Sequence, residues 1–403
     1  MQLTFWGVRG SVPSPEPWAW RYGGHTPCIE VRTGDQIFIL DAGTGARDLG
    51  HELAQRKSAD LAVNILLSHY HWDHIQGLPF FEPLYYANTT VQFFGPPLSS
   101  KSTPATLSGV LDVLFRSPFF PLTMDQLHAT YTLRELDWVT DYYLGLTRIR
   151  TCRLNHPDGS LAYRLDRGGV SIVYATDHEP GAPEFDDALV ALAHEADVLI
   201  CDAQYHADEL RGVKRGWGHG SWQDSVRLAR KAGVKQLILF HHDHWRTDDE
   251  LDQILSQARR EFPHTLAASE GMFMDVARRE TRIGSRRLRL SQRMPAQVPV
   301  EVETRQNGRP LREQVHLENI SFHGAYFLTP TRYEPQQPVE LTLRLPVNGN
   351  GNGRGIGAAM KGPVEVRLHG YVLRSEPATL DSGWRGVAVH FPGLPAAGRS
   401  EGD

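Results

Sequence analysis

In the run His69-Tyr70-His71-Trp72-Asp73-His74, four groups able to bind a metal fall within six residues. Imidazole nitrogen and carboxylate oxygen are the usual ligands of zinc and also suit manganese or iron. His69 and His71 stand two apart, so in an extended turn their rings point the same way. Asp73 and His74 follow a bend and can face a second ion. A pair of divalent ions is chemistry for hydrolysis. It lowers the pKa of a water toward neutrality and clamps the attacking and leaving oxygens. The bland account of the run is a histidine-rich solvent loop. Its H-x-H-x-D-H spacing, beyond mere enrichment, argues against that account.

Such ligands must be held by rigid elements. The apolar run 62–67 ends at Ser68, directly before the histidines, and reads as a buried strand. Runs 3–8, 28–32 and 36–40 also read as strands, with Thr33-Gly34-Asp35 as the turn between the last two. Runs 171–175, 198–201 and 236–240 are further strands, and the first ends at Thr176-Asp177. Helical periods fall at about 184–195, 221–232 and 247–261, and the less regular 101–136 reads as a helix-containing insertion. Strands that feed polar residues at their C-terminal ends predict an α/β sandwich whose site gathers at those ends.

Residues 1–275 resemble the metallo-β-lactamase superfamily, whose signature is H-x-H-x-D-H. The resemblance implies an αββα sandwich holding two divalent ions, zinc foremost, with manganese or iron as alternatives. By it, Asp41 in Leu40-Asp41-Ala42-Gly43-Thr44-Gly45 matches an early structural aspartate. His69, His71 and His156 would hold one metal, and Asp73, His74 and His241 the other. Asp177 would bridge them. His242 is an alternative to His241; the family's Leu-x-His spacing favours His241. His178 reads as a residue behind the ligands. The oxygen-reducing di-iron branch carries Glu where this chain has His71, so hydrolysis is expected.

The runs Gly7-Val8-Arg9-Gly10-Ser11-Val12-Pro13 and Arg21-Tyr22-Gly23-Gly24-His25-Thr26 resemble the phosphodiesterase branch, which includes ribonuclease Z. Gly218-His219-Gly220-Ser221-Trp222 resembles that branch's Gly-His-Ser-Thr segment. By that match His219 assists catalysis by meeting phosphate charge or protonating the leaving oxygen, with Asp73 as the second catalytic residue. The plainer role for His219 is to cap the helix beginning near Ser221. Ribonuclease Z itself is disfavoured, because no long tRNA-gripping arm and no marked basic stretch appear in this part of the chain.

After about residue 276 the character changes. Arg278, Arg279, Arg282, Arg286, Arg287, Arg289 and Arg293 crowd one stretch. Beyond it come β-like segments at 298–303, 314–317, 324–328, 339–345, 364–373 and 386–391, which predict a small all-β barrel. Arg289-Leu290-Ser291-Gln292-Arg293 followed by Asn319-Ile320-Ser321-Phe322-His323-Gly324 resembles the R-x-x-x-R and [D/N]-x-S-x-x-G signatures of the PilZ domain. The resemblance implies binding of cyclic di-GMP as a regulatory ligand. Arg289 and Arg293 would grip phosphates and guanine faces, Asn319 and Ser321 would contact a guanine, and Gly324 would permit a close approach.

The expected organisation is therefore a hydrolase domain at 1–275, an arginine-rich linker at 276–288, a PilZ-like domain at 289–393 and a disordered tail at 394–403. The chain of 403 residues carries a formal net charge of −5, which demands neither a nucleic acid nor a membrane. Cys28, Cys152 and Cys201 lack C-x-x-C spacing, so neither a disulfide framework nor a cysteine zinc site is expected. A signal peptide and an apolar membrane span are not seen, and the reading is cytosolic. The function expected is a two-metal phosphodiesterase acting on a cyclic nucleotide or similar small phosphodiester, with cyclic di-GMP as a second ligand. A silent metal-binding effector, a lactone or thioester hydrolase, and a homo-oligomer stay open.

Overall fold

Short apolar strands followed by amphipathic helices dominate the first 275 residues, and parallel pairing of such strands requires helices on the faces. The computed structural model describes residues 1–56, 60–98, 106–282, 294–306, 309–321, 324–345, 364–377 and 385–390. They fall in two units, Met1–Arg287 and Leu288–Asp403.

The first sheet of the first unit is built from β1 (Gln2–Gly7), β2 (Cys28–Thr33), β3 (Gln36–Leu40), β4 (Leu61–Leu66), β5 (Thr89–Gly95) and β6 (Thr130–Glu135). The second uses β7 (Asp141–Leu144), β8 (Thr147–Leu154), β9 (Ser160–Arg167), β10 (Val170–Ala175), β11 (Val198–Asp202), β12 (Leu237–Phe240) and β13 (Thr265–Ala267). Two further strands, β14 (Phe273–Asp275) and β15 (Glu280–Arg282), return to the first sheet. Its order is β15-β14-β1-β2-β3-β4-β5-β6, and the second runs β13-β12-β11-β10-β9-β8-β7.

Phe5, Ile29, Phe38 and Leu66 from one sheet meet Tyr163, Ile172, Tyr174, Ile200 and Phe240 from the other in a shared core. The outer faces pack on helices. Leu49 and Leu53 of α1 (Gly45–Gln55) join the first sheet's outer cluster, after which comes the single turn α2 (Trp72–Ile75). Leu107, Leu111 and Leu114 of α3 (Leu107–Leu114) join the same cluster. The helices α4 (Pro183–Ala193), α5 (Trp222–Ala232) and α6 (Asp248–Glu261) cover the second sheet. The layers are αββα. Local chemistry sets the helix ends: Ser221 with Asp224, and Thr247 with Glu250, form capping boxes, and Gly233 closes α5 in the left-handed conformation.

Three site-bearing strands end alike. Asp41 after β3, Asp177 after β10 and His241 after β12 have φ of 56°, 55° and 57°. A side chain in the left-handed region is strained by about 1–3 kcal/mol, and it persists only where the surroundings impose it.

Several local features differ from the sequence reading, which gave no strand range where β5, β7, β8, β9, β13 and β14 lie. The 101–136 stretch supplies α3 as expected, but also β6 at the sheet edge, whose residues are largely exposed. The arginine-rich stretch begins with β15, paired antiparallel to β14.

The second unit is a closed antiparallel barrel. Its strands are β16 (Met294–Gln306), β17 (Arg309–Ser321), β18 (Gly324–Thr329), β19 (Pro338–Leu345), β20 (Val364–Pro377) and β21 (Arg385–His390), in the order β16-β17-β18-β21-β20-β19. Val302, Leu317, Phe327, Leu341, Val372 and Val387 fill it. Glu313 accepts hydrogen bonds from Thr329, Thr331 and Tyr333, tying the β18–β19 connection to β17.

Candidate metal centre

The loop from Ser68 to α2 carries four of the expected ligands, and Asp41 organises it. Asp41 Oδ1 accepts the Ser68 backbone N–H at 2.6 Å. Its Oδ2 accepts from Ser68 Oγ at 2.7 Å, Tyr174 Oη at 2.6 Å and His74 Nδ1 at 2.7 Å. Ser68 Oγ, having donated to Asp41, accepts from His69 Nδ1 at 3.0 Å. One buried carboxylate thus assigns the tautomer of two histidines, leaving the Nε2 lone pair of each free.

The other rings are set in the same way. His156 Nδ1 donates to the Gly218 carbonyl at 2.9 Å, and His241 Nδ1 donates to Gln204 Oε1 at 3.0 Å. His71 is exposed, and its Nδ1 lies 2.9 Å from His156 Nε2. Donor atoms of His69, His71, His156 and Asp177 lie within 4.8 Å of one another, as do those of Asp73, His74 and His241. Asp177 serves both sets. Its Oδ2 is 3.5 Å from His69 Nε2 and 3.7 Å from His156 Nε2, and its Oδ1 is 3.4 Å from His74 Nε2 and 3.3 Å from His241 Nε2. Asp73 Oδ2 accepts the Ser11 backbone N–H at 2.8 Å and stands 3.3 Å from both His74 Nε2 and His241 Nε2.

These residues fit a pair of divalent cations. His74 Nε2 and His241 Nε2 face each other at 3.2 Å. Both Nδ1 atoms are committed as donors, so the two Nε2 atoms need a proton or a cation between them. Burial lowers the His74 pKa, but the Asp73, Asp177 and Asp41 carboxylates raise it well above the ordinary imidazole range, so the cluster calls for positive charge at this point. His69 Nε2 is buried without a hydrogen-bond partner. Burial holds His69 well below the ordinary imidazole range and His156 down to about 4, so both rings are neutral and ready to coordinate.

The doublet resolves geometrically. His241 joins the cluster, while His242 Nε2 donates to the Ala268 carbonyl at 2.9 Å and its ring meets Tyr22 edge-on. His178 lies behind the ligands: its Nδ1 accepts the Asn155 N–H at 3.3 Å and its Nε2 pairs with Asp186 at 2.9 Å.

His219 stacks on His241 with ring centroids 5.1 Å apart, and its Nδ1 donates to Asp202 Oδ2 at 2.8 Å. Burial pulls its pKa down, but Asp202 and Asp177 raise it further, to about 9. Asp202 is a site residue that the sequence reading passed over. It follows the apolar run 198–201 as Asp41 and Asp177 follow theirs, and that repeat was the available signal. Tyr174 had no such signal, since it reaches Asp41 only when the two sheets pack, while Ser68 and Gln204 reach Asp41 and His241 from neighbouring strands of one sheet. Arg9 is fully buried and braces the segment after β12 through the carbonyls of Asp243 and Arg246 and the carboxylate of Asp248.

Two glycines are required by close approach. A Cβ on Gly218, at φ +88°, would fall 2.0 Å from His156 Nδ1, and one on Gly10 would fall 2.5 Å from His241 Cε1.

In the second unit, Arg289 and Arg293 lie outside the described residues. Asn319 and Ser321 end β17 and Gly324 begins β18, with Ser321 and Gly324 paired across the turn.

Residues 37–242 match the family model described as the beta-lactamase superfamily domain, and residues 287–401 match the PilZ domain. Ribonuclease Z from Thermoplasma acidophilum is 25% identical over 327 residues, covering 68% of this chain and 96% of the relative. Among solved structures, the metallo-beta-lactamase fold protein YhfI from Bacillus subtilis is 20% identical with a TM-score of 0.50, covering 68% of this chain and 99% of that one. Zinc-bound PqqB from Methylobacterium extorquens is 15% identical with a TM-score of 0.52, covering 68% and 100%. Among the described residues, no helix is long and apolar enough to cross a membrane.

Proposed function

The chain belongs to the beta-lactamase superfamily and carries a PilZ domain, and from that premise we propose a two-metal phosphodiesterase acting on a small phosphodiester such as a cyclic nucleotide. The observation that carries the reading is the His219–Asp202 pair set against the His69–His71–His156–Asp177 and Asp73–His74–His241 groups, with Asp177 also beside His74 and His241. His69, His71, His156 and Asp177 would hold one divalent ion, and Asp73, His74, His241 and Asp177 the other. When bound, such a pair activates water and offsets charge on the phosphoryl oxygens.

The chain's own groups do the rest. Asp73, anchored by the Ser11 N–H, is placed to accept the proton of the attacking water. As the new P–O bond forms, the bond to the leaving oxygen breaks, and His219 supplies that oxygen with a proton from Nε2. Asp202 keeps His219 Nδ1 protonated and orients the ring. In the second unit, the two ordered signatures, with Arg289, Arg293, Asn319, Ser321 and Gly324, support cyclic di-GMP as the ligand of the barrel.

The test is turnover by the full chain, reconstituted with zinc, manganese or iron, of cyclic nucleotides, a bis-aryl phosphodiester, a lactone and a thioester, with and without cyclic di-GMP. Metal-dependent phosphodiester turnover that falls at least 100-fold in His219→Ala is expected. Turnover of the lactone or thioester alone would reject the phosphodiesterase.

A further inference from the structure

On the His69–His71 side of the metal centre lies a pocket of about 560 Å³. That is within the range of small-molecule sites. Both histidines belong to its lining, so whatever enters it lies against the reacting centre. Its other walls are apolar. The loop Tyr70–Trp72 contributes two rings, and α3 and the segment after it contribute Val110, Val113, Leu114 and Phe119. The Tyr70 hydroxyl is spent on the Pro96 carbonyl at 2.7 Å, so the pocket sees mainly its ring. Trp72 is 58% and Phe119 66% exposed, so both rings leave apolar surface open to an apolar group that enters the pocket.

Among the described residues, neither lysine nor arginine lines the pocket, and Asp158 is its one carboxylate. A sugar or phosphate placed there would lose water and find few partners. A nucleic-acid strand needs cations along its backbone, and the described residues of this wall supply none. An apolar ring or branched chain leaves water and gains contact with Trp72 and Phe119.

We propose that this pocket binds an apolar arm of the substrate, an aryl or branched alkyl group carried on an ester oxygen, next to the metal centre. The inference rests on the phosphodiesterase reading and narrows it away from a cyclic nucleotide, whose ester oxygens both belong to a sugar. The substrate class is a small phosphodiester with one apolar ester group, and the α3 insertion is its specificity wall.

The probes are phenylphosphonate and methylphosphonate, which share an anionic head and differ in the arm. Calorimetry on the metal-loaded full chain reads binding without requiring turnover. Phenylphosphonate should bind at least about tenfold tighter. Val113→Asp, on a half-buried position, and Phe119→Ala, on an exposed one, should each remove most of that difference. Equal affinities in the wild type overturn the pocket assignment whatever is hydrolysed. So does a preference that both variants retain. A preference lost in the variants, in a protein that turns over no phosphodiester, supports the pocket and places the failure in the phosphodiesterase reading.

Discussion

At the residue scale, the proposed metal ligands are only as good as the groups that set their tautomers. Asp41 touches no proposed ion, yet its four hydrogen bonds decide which nitrogens of His69 and His74 are free. Asp41→Asn replaces one acceptor oxygen by a donor facing donors. The expected result is a loss of about 3 kcal/mol in stability and a 10- to 100-fold weaker metal affinity. Denaturation and competitive chelation would check the two separately. Asp202→Asn tests a different dependence. The amide still accepts from His219 Nδ1 but withdraws the carboxylate that helps hold the imidazolium. We expect kcat to fall roughly 100-fold. Removing the raising carboxylate lowers the His219 pKa, so the alkaline limb of the kcat profile moves to lower pH. A fall in kcat without that movement would make Asp202 merely structural. The residues proposed as ligands stood out because six residues carry four of them, and because His156, Asp177 and His241 each follow a strand. Of the tautomer-setting residues, Asp41 was singled out by the resemblance, but Tyr174 was not, since it lies 133 positions from Asp41 and meets it only across the inter-sheet core.

At the scale of elements, the site depends on how strands stop. Asp41, Asp177 and His241 all turn out of their strands in the left-handed region, which lets the side chain point over the sheet edge. The strands that feed these turns were readable as uninterrupted apolar runs between polar punctuation. Strands β6 and β7 were not, because each lies at a sheet edge and alternates exposed with half-buried side chains, which carries little hydrophobic pattern. The turn before α5 has no slack either. Gly218 uses its carbonyl to hold His156, has a positive φ, and leaves no room for a Cβ. Gly218→Ala should therefore push His156 out of the first cluster and displace His219 with it. We expect metal content to drop from two ions toward one and kcat to fall more than 100-fold. Elemental analysis alongside kinetics measures both. An alanine variant with full metal content and wild-type kcat would show that the loop yields more easily than its geometry suggests.

At the scale of the whole molecule, the chain holds two separately built cores. The sandwich is organised around its inter-sheet cluster, and the barrel around Val302, Leu317 and Phe327. Ligands that bind only a folded unit stabilise that unit by mass action, by about 2.7 kcal/mol at 100 times the dissociation constant. On the proposed function, metal ions and cyclic di-GMP would therefore act on different cores. Calorimetric melting of the full chain should show two transitions. Chelation should lower the one belonging to the sandwich, because its facing imidazole nitrogens then lose the cations that offset them. Saturating cyclic di-GMP should raise the barrel transition by roughly 10–20 °C, the shift that this free energy gives in a domain of about 100 residues. Movement of the sandwich transition on adding cyclic di-GMP would reveal energetic coupling, since a ligand can shift another unit's equilibrium only through a difference in affinity between its states. The Arg289→Ala and Arg293→Ala variants supply the control. They should abolish the barrel shift and leave the response to chelation intact, separating a nucleotide-sensing barrel from one that only accompanies the hydrolase.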